Sequence, residues 1–276
     1  MTTKIPAELS STPGIIDSSN ATAITINSSE QVGIGTTSPA ALLNLVEDNS
    51  RSTKTGNGLG QIHINGGTDL SNGDVSGITF SSNTLTQASA IIGNKITNSG
   101  STLFFGTSNS YASGVTNTSM EINQVGNVTK PNNCSFSARH GSTVSDFAIN
   151  QYVQFPFDTE IYDNGSNLSS SGTFTAPVTG RYLLLATIRM GNYIDSSASY
   201  SRIVIATSNR TYQGTLIQNN TMFSSSTDPS FHTYHAHFLC DMDANDTANV
   251  SFYQYQGAAQ CDFAGDESFF QGELIG

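Results

Sequence analysis

Apolar and polar residues alternate in short runs along this chain, and no stretch sustains the 3.6-residue period of an amphipathic helix. "ATAITI" (21–26), "QIHI" (61–64), "SGITF" (76–80), "ASAIIG" (88–93), "TLFFGT" (102–107) and "SMEINQ" (119–124) read as strands separated by Gly, Asn and Ser turns. The best helical signal is "SPAALLNLV", with Ser38 placed to cap and Pro39 at a first helical position. Leu43, Leu45 and the β-branched Val46 instead fit one turn running into a strand. Strands this short hold no large core alone, so the region up to Pro131 needs its own sandwich or partner chains.

From Asn132 the strands lengthen and aromatics concentrate. "YVQFPFDTEIYD", "GTFTAPVTGRYLLLATIRM", "SYSRIVIATS", "FHTYHAHFLCDMD", "ANVSFYQYQG" and "ESFFQGELIG" predict at least six strands. Within "RYLLLATIRM", Tyr182, Leu184, Ala186 and Ile188 share one face, and Leu183, Leu185 and Thr187 share the other. Both faces are largely apolar, which predicts a strand covered twice: by the sandwich core and by a neighbouring subunit. One internal echo stands out. "INSSEQV" (26–32) aligns with "INQVGNV" (122–128), as if one hairpin were used at each end of the first region.

Composition narrows the function. Charged residues make up 11% of the 276, and 10 Lys plus Arg against 21 Asp plus Glu give a formal net charge of −11. Phosphate repels such a surface and no basic stripe appears, so nucleic acid is not an expected partner. "MTTKIPAELSSTPGII" has no apolar signal core, and "YLLLATI" is too short to span a bilayer, so membrane insertion is not expected. The many Asn-x-Ser/Thr sequons fall out of an Asn/Ser/Thr-rich composition. Cys134, Cys240 and Cys261 are too few for a disulfide framework and read as packed, reduced thiols; a Cys240–Cys261 bridge stays open.

"GTFTAPVTGRYLL" resembles the head domain of the complement-subcomponent-q and tumour-necrosis-factor superfamily, in which Phe-x-Ala-Pro-x-x-Gly-x-Tyr joins two consecutive strands. Phe174, Ala176, Pro177, Gly180 and Tyr182 carry the match. "FSA" (136–138) resembles the first strand, "DTEIYDNGSN" the segment before the Pro turn, and Phe270, Gly272 and Leu274 the closing Phe-x-Gly-x-Leu strand. The likeness covers about residues 134–276. It implies an all-β fold whose C-terminal part is a ten-strand-type jelly roll, and a homotrimer. "ITINSSEQVGIGTTSPAALLNLVED" resembles a segment of tailed-phage fibres, through Val32, Gly33, Ile34, Gly35, Thr36, Thr37 and Pro39. That likeness implies a virion protein with interleaved trimeric β-structure; Glu30 stands where its turn usually has Gly. In a trimer, Val250 and Phe252 would face the sandwich, with Tyr253 and Tyr255 turned to the three-fold axis.

The candidate sites are few. His235 and His237 point the same way along a strand and could share a metal, but no further ligands are evident. Asp241, Asp243 and Asp246 in "DMDAND" loosely follow calcium-loop spacing without its Gly or distal Glu, so a plain turn is the simpler reading; no cofactor other than that calcium is expected. Tyr193, Asp195, Tyr200, Asp228 and Phe231 lie in loop-like stretches and have the chemistry to bind sugar, rings stacking and carboxylates accepting hydroxyl hydrogen bonds. No nucleophile elbow, zinc-protease motif or phosphate loop occurs, so enzyme activity is not expected.

These readings converge on a trimeric tail fibre or spike of a tailed bacteriophage. Residues 1–20 would dock to other virion proteins, 21–131 would form a β-rich stalk, and 132–276 a knob that binds a host surface glycan or outer-membrane protein. The alternatives are a capsid-decoration or tail-scaffold protein without a host ligand, and a secreted lectin of the same fold.

Overall fold

The computed structural model describes residues 14–16, 22–34, 36–40, 43–45, 74–81, 87–110, 112–191, 195–223, 230–258 and 261–276. The chain divides into two compact units, Met1–Gly77 and Ile78–Gly276. The first carries β1 (Gly14–Ile16), β2 (Thr22–Ile26), β3 (Val32–Ile34) and β4 (Leu43–Leu45), side by side in that order. β3 and β4 pair in parallel, and residues 36–40 form bends and turns between them rather than a helix. Gly33 is required there, because a Cβ would lie 2.5 Å from the Thr36 carbonyl oxygen. "QIHI" lies outside the described residues.

A five-stranded meander follows, its first strand spanning the division and the other four in the second unit: β5 (Asp74–Phe80), β6 (Ala90–Thr97), β7 (Gly100–Thr107), β8 (Asn117–Ile122) and β9 (Val128–Thr129). The sequence echo is one turn built twice. In the β2–β3 hairpin, Asn27 Oδ1 accepts the N–H groups of Ser29 and Gln31, and the Asn27 N–H donates to the Gln31 carbonyl. In the β8–β9 hairpin, Asn123 Oδ1 accepts from Val125 and Asn127, and the Asn123 N–H donates to the Asn127 carbonyl. Both turns need one left-handed residue. Gly126 supplies it at φ 86°, whereas Glu30 is held there at φ 60°. An L side chain in this region costs about 1 kcal/mol relative to glycine. Glu30→Gly is therefore expected to stabilise the first hairpin by about 1 kcal/mol, read as slower hydrogen exchange at the Gln31 amide.

The rest is a two-sheet jelly-roll sandwich. Its strands are β10 (Ser135–Arg139), β11 (Thr143–Val144), β12 (Tyr152–Gln154), β13 (Thr159–Asn164), β14 (Phe174–Thr175), β15 (Gly180–Gly191), β16 (Tyr200–Thr207), β17 (Thr211–Ile217), β18 (Phe231–Met242), β19 (Thr247–Tyr255), β20 (Asp262–Ala264) and β21 (Phe269–Leu274). One sheet runs β11-β20-β15-β21-β10-β13, with β18 on the other side of β15; the second runs β12-β19-β16-β17, with β14 on β19. The last strand lies between the first and the longest: β21 pairs β10 through Ser135↔Glu273 and β15 through Leu184↔Gly272. Pairings across the whole domain impose a large loop-closure cost before they stabilise anything.

The core between the sheets is phenylalanine-rich. Phe136, Phe155, Phe157, Phe174, Phe252, Phe263 and Phe270 are buried with Tyr182 and Tyr234, and Val250 and Phe252 face inward as the strand pattern predicts. Phe136 stacks on Phe174 at 4.8 Å and meets the edge of Phe270 at 5.0 Å. Each buried phenyl contributes about 2–3 kcal/mol by removal from water. Cys134, Cys240 and Cys261 are buried free thiols, and burial pushes their pKa values up to about 11, 11 and 12.

The Pro–Gly–Tyr join explains itself locally. Pro177 has no N–H to give a ladder, and it sits between the end of β14 and the start of β15. The Asp246 carbonyl receives the Ala176 N–H, and the Ala176 carbonyl receives the Asn245 N–H, so the join is stitched to the β18–β19 turn. Tyr182 points back into the core, and its hydroxyl donates to the Val178 carbonyl at 2.7 Å while accepting the Val178 N–H at 3.4 Å. Tyr182→Phe is expected to lower the unfolding free energy by about 1–2 kcal/mol, because the Val178 backbone groups lose their partner. Urea unfolding followed by near-UV circular dichroism checks this.

β17, "TYQGTLI", was not among the expected strands. Its Gly214 packs against β18, where a Cβ would lie 2.5 Å from the His235 carbonyl oxygen, and Thr215 Oγ1 donates to that same oxygen.

Candidate functional site: the two outer faces of the jelly roll

Each sheet has an inner face in the core and an outer face turned from it, and the two outer faces differ in chemistry. On the first sheet, β15 presents Leu183, Leu185 and Thr187 outward, and the register sets Leu239, His237 and His235 of β18 beside them. Inner neighbours Tyr182, Leu184, Ala186 and Ile188 are fully buried, whereas Leu183 and Leu185 are half-buried and Leu239 is exposed. Among the described residues, the second cover predicted for this strand is therefore incomplete. Beside the leucines a hollow of about 140 Å³ is lined by Tyr162, Leu183, Leu185, Gln271 and Glu273, with Phe136 and Gly272 at its base.

On the second sheet, the register brings tyrosines from three strands together. Tyr152 of β12 lies opposite Tyr253 of β19, Tyr253 lies opposite Arg202 of β16, and Tyr200 lies opposite Tyr255. Ring centroids are 4.8 Å apart for Tyr152–Tyr253, 5.9 Å for Tyr200–Tyr253, 5.2 Å for Tyr200–Tyr255 and 6.4 Å for Tyr253–Tyr255. The Arg202 guanidinium carbon lies 5.4, 5.7 and 5.5 Å from the rings of Tyr152, Tyr200 and Tyr253, within cation–π range. Partial desolvation and the neighbouring phenols raise the Tyr253 pKa, so its hydroxyl stays a donor at neutral pH. Tyr253 and Tyr255 share a face in the sequence pattern, with Tyr200 in a separate stretch. Tyr152 and Arg202 carry no such signal, and only the strand order brings them alongside.

Of the expected receptor residues, the three that are described, Asp195, Tyr200 and Phe231, do not gather. Tyr193 and Asp228 lie outside the described residues. Asp195 is buried at 4% exposure, and its carboxylate accepts the Ser197 N–H and hydroxyl and the Ala258 N–H, fixing one loop to another. Spent on the fold, it is not presented to a ligand. Gly257 is required beside it, since a Cβ there would lie 2.3 Å from Asp195 Oδ2. Tyr200 joins the tyrosine cluster of the second sheet, but Phe231 lies at the end of the first, under the Arg189 guanidinium, which also pairs with Glu267.

The metal candidates are also separated. Asp246 accepts from Ser208 Oγ, Asn209 Nδ2 and the Asp243 N–H, and these hydrogen bonds hold its carboxyl below the usual range. Asp243 Oδ1 takes the Thr179 hydroxyl, and Asn245 is left-handed at φ 74°, so 243–246 is a hydrogen-bonded turn. Asp241 lies on β18, opposite Arg181. His235 and His237 do share a face, with rings 5.5 Å apart, and His235 Nδ1 is 3.3 Å from Thr187 Oγ1. Among the described residues no group of three or more His, Cys, Asp or Glu is placed to hold a metal ion. No described helix is long and apolar enough to cross a membrane.

No protein-family model matches the sequence, and no curated protein matches it. Solved structures do. The globular domain of zebrafish complement 1qA protein is 16% identical with a TM-score of 0.36, over 52% of this chain and 98% of that one. Murine APRIL at pH 8.0 is 11% identical with a TM-score of 0.37, over 52% and 99%. Eiger TNF from S. frugiperda is 16% identical with a TM-score of 0.36, over 52% and 92%. The all-β, jelly-roll assignment of residues 135–274 rests on this chain's own strand order and register.

Proposed function

We propose that this chain is a homotrimeric adhesion protein, a fibre or spike of a tailed bacteriophage that holds a virion to its host's surface. The observation that carries the trimer is the outer face of β15 and β18, where Leu183, Leu185 and Leu239 form an apolar stripe left partly open to water. Burying such a stripe against a second chain gains about 25 cal/mol per Å² of apolar area, and a closed ring of three covers every copy equally. The short strands of the first unit fit the same scheme, since Ile26, Ile34 and Leu43 are exposed and a sheet of three- to five-residue strands is marginal alone. The phage assignment is supported by the fibre-like segment around Val32–Pro39, and docking to other virion proteins falls to the chain before β2. Three copies of one weak site on a rigid head would raise avidity well above that of a single contact.

Tyr253 and Tyr255 were expected at the three-fold axis, but they lie on the sheet opposite the leucine stripe. With Arg202 among them they form a more polar surface than the stripe, so the trimer contact is assigned to the leucines. The test is adhesion. Labelled protein should be retained on intact host-type bacteria, and a variant made monomeric at the leucine stripe should be retained far more weakly. Wild-type protein that bound no bacterial surface while packing into virions would favour the decoration or scaffold role instead.

A further inference from the structure

We infer that the tyrosine–arginine face of the second sheet is a binding platform for an acidic sugar, a pyranose ring bearing a carboxylate. This rests on the adhesion reading and names the ligand class for one of its surfaces.

Four tyrosine rings from β12, β16 and β19 stand on the outer face of a sheet whose core lies on the other side, so the fold gains little by collecting them. What they present is a run of ring faces and phenol hydroxyls. Sugar rings have apolar C–H faces that stack on such rings and equatorial hydroxyls that bond to neighbouring polar groups. Those polar groups are present. Exposed Gln154 lies one step along the same face, its amide N–H held by the Ser171 carbonyl and Thr173 Oγ1 and its carbonyl oxygen turned to accept, and Gln213 receives a hydrogen bond from Arg202 at 3.3 Å.

Arg202 selects among sugars. The chain carries 10 Lys plus Arg against 21 Asp plus Glu, yet among the described residues no carboxylate lies within salt-bridge distance of this guanidinium. Its other contacts are three ring faces and the Tyr152 hydroxyl, and its Nε is buried without a hydrogen-bond partner. An arginine set among aromatic rings, with no carboxylate partner among the described residues, is complementary to a planar carboxylate. The carboxylate of the sugar is the missing acid, while the flanking rings take the C–H face of the same unit. A second copy of this chain is the competing occupant. It would have to bring a carboxylate to Arg202, and the more apolar surface available for self-association is the leucine stripe on the opposite sheet.

The experiment uses the full chain and a panel of acidic and neutral oligosaccharides, with hexagalacturonate and maltohexaose as the lead pair, titrated by calorimetry. Acidic members are expected to bind more tightly than neutral ones of equal length, and raising salt from about 0.05 to 0.5 M should weaken that binding several-fold. Arg202→Gln should lose about tenfold for acidic members and leave neutral ones little changed. Tyr253→Ala should weaken both. Near-UV circular dichroism should be retained in both variants, and the milder Tyr253→Phe should bind as wild type if stacking is what matters.

Equal affinity for neutral and acidic members, insensitivity to Arg202→Gln, or no binding across the panel would overturn the assignment. So would a change of solution mass in Arg202→Gln, which would show that a second copy covers the face. Adhesion to cells is scored separately. Wild-type and Arg202→Gln protein adhering equally would sink the platform and leave the adhesion reading standing. Oligosaccharide binding without cell adhesion would do the reverse.

Discussion

Gly272→Ala is expected to lower the unfolding free energy by about 2–3 kcal/mol, a large loss for one methyl group. Gly272 belongs to the Phe-x-Gly-x-Leu end of the chain, and its backbone is ordinary strand, so conformational freedom is not the reason for glycine. Space is. β21 crosses between β10 and β15 at this residue, and an added Cβ would lie 2.4 Å from Phe136 Cε1 and 2.8 Å from Leu184 Cδ2. Phe136 cannot retreat, because Phe174 stacks on one side and Phe270 meets it on the other. The intruding methyl must therefore push the closing strand away from the core. Phe136→Leu, which frees ring volume, should cost less in the Gly272→Ala background than alone. That non-additivity in a urea double-mutant cycle separates crowding from a loss of strand propensity. Additive costs would remove the steric account.

Leu185→Asp is expected to convert the assembled protein to monomer while leaving the single-chain fold in place. Leu185 lies mid-strand in β15 with its side chain on the outer face, flanked across the ladders by His237 and Gln271. Within one chain the aspartate reaches water, so its cost should be about 1 kcal/mol or less. Inside a subunit contact it would be a buried, unpaired charge repeated in every copy, at several kcal/mol each. Sedimentation should show loss of the oligomer, with near-UV circular dichroism retained. Unfolding of the variant at all concentrations would instead mean that Leu185 belongs to the chain's own core; Leu239→Asp, at the more exposed end of the stripe, separates the two.

Much of the architecture was legible because strands carry their faces in their spelling. Tyr182 to Ile188 showed two apolar faces, and the structure covers one fully and leaves the other half-open. The repeated "IN…V" stretch showed one hairpin twice, including Glu30 standing where its twin has Gly126. β17 escaped notice because its glycine and polar residues hide a strand whose place is set by contact with β18. The candidate sites were less legible. Asp195 looked like an exposed loop carboxylate, but a short acidic side chain in a Ser-rich loop is as able to cap backbone N–H groups, and only the approach of Ala258 from 63 residues away decides that it does. Tyr152 and Arg202 are likewise 50 residues apart, and neither carries a local signal. They become neighbours because β19 lies between their strands.

The central claim is that the half-covered face of β15 and β18 is closed by two further copies of the chain. Light scattering on the purified full-length protein, at micromolar concentration and with and without a chelator, tests it most directly. The mass of three chains is expected in both conditions, since the contact proposed to hold them is the apolar face of Leu183, Leu185 and Leu239. A stable mass of one chain, with the leucine stripe left in water, would contradict it.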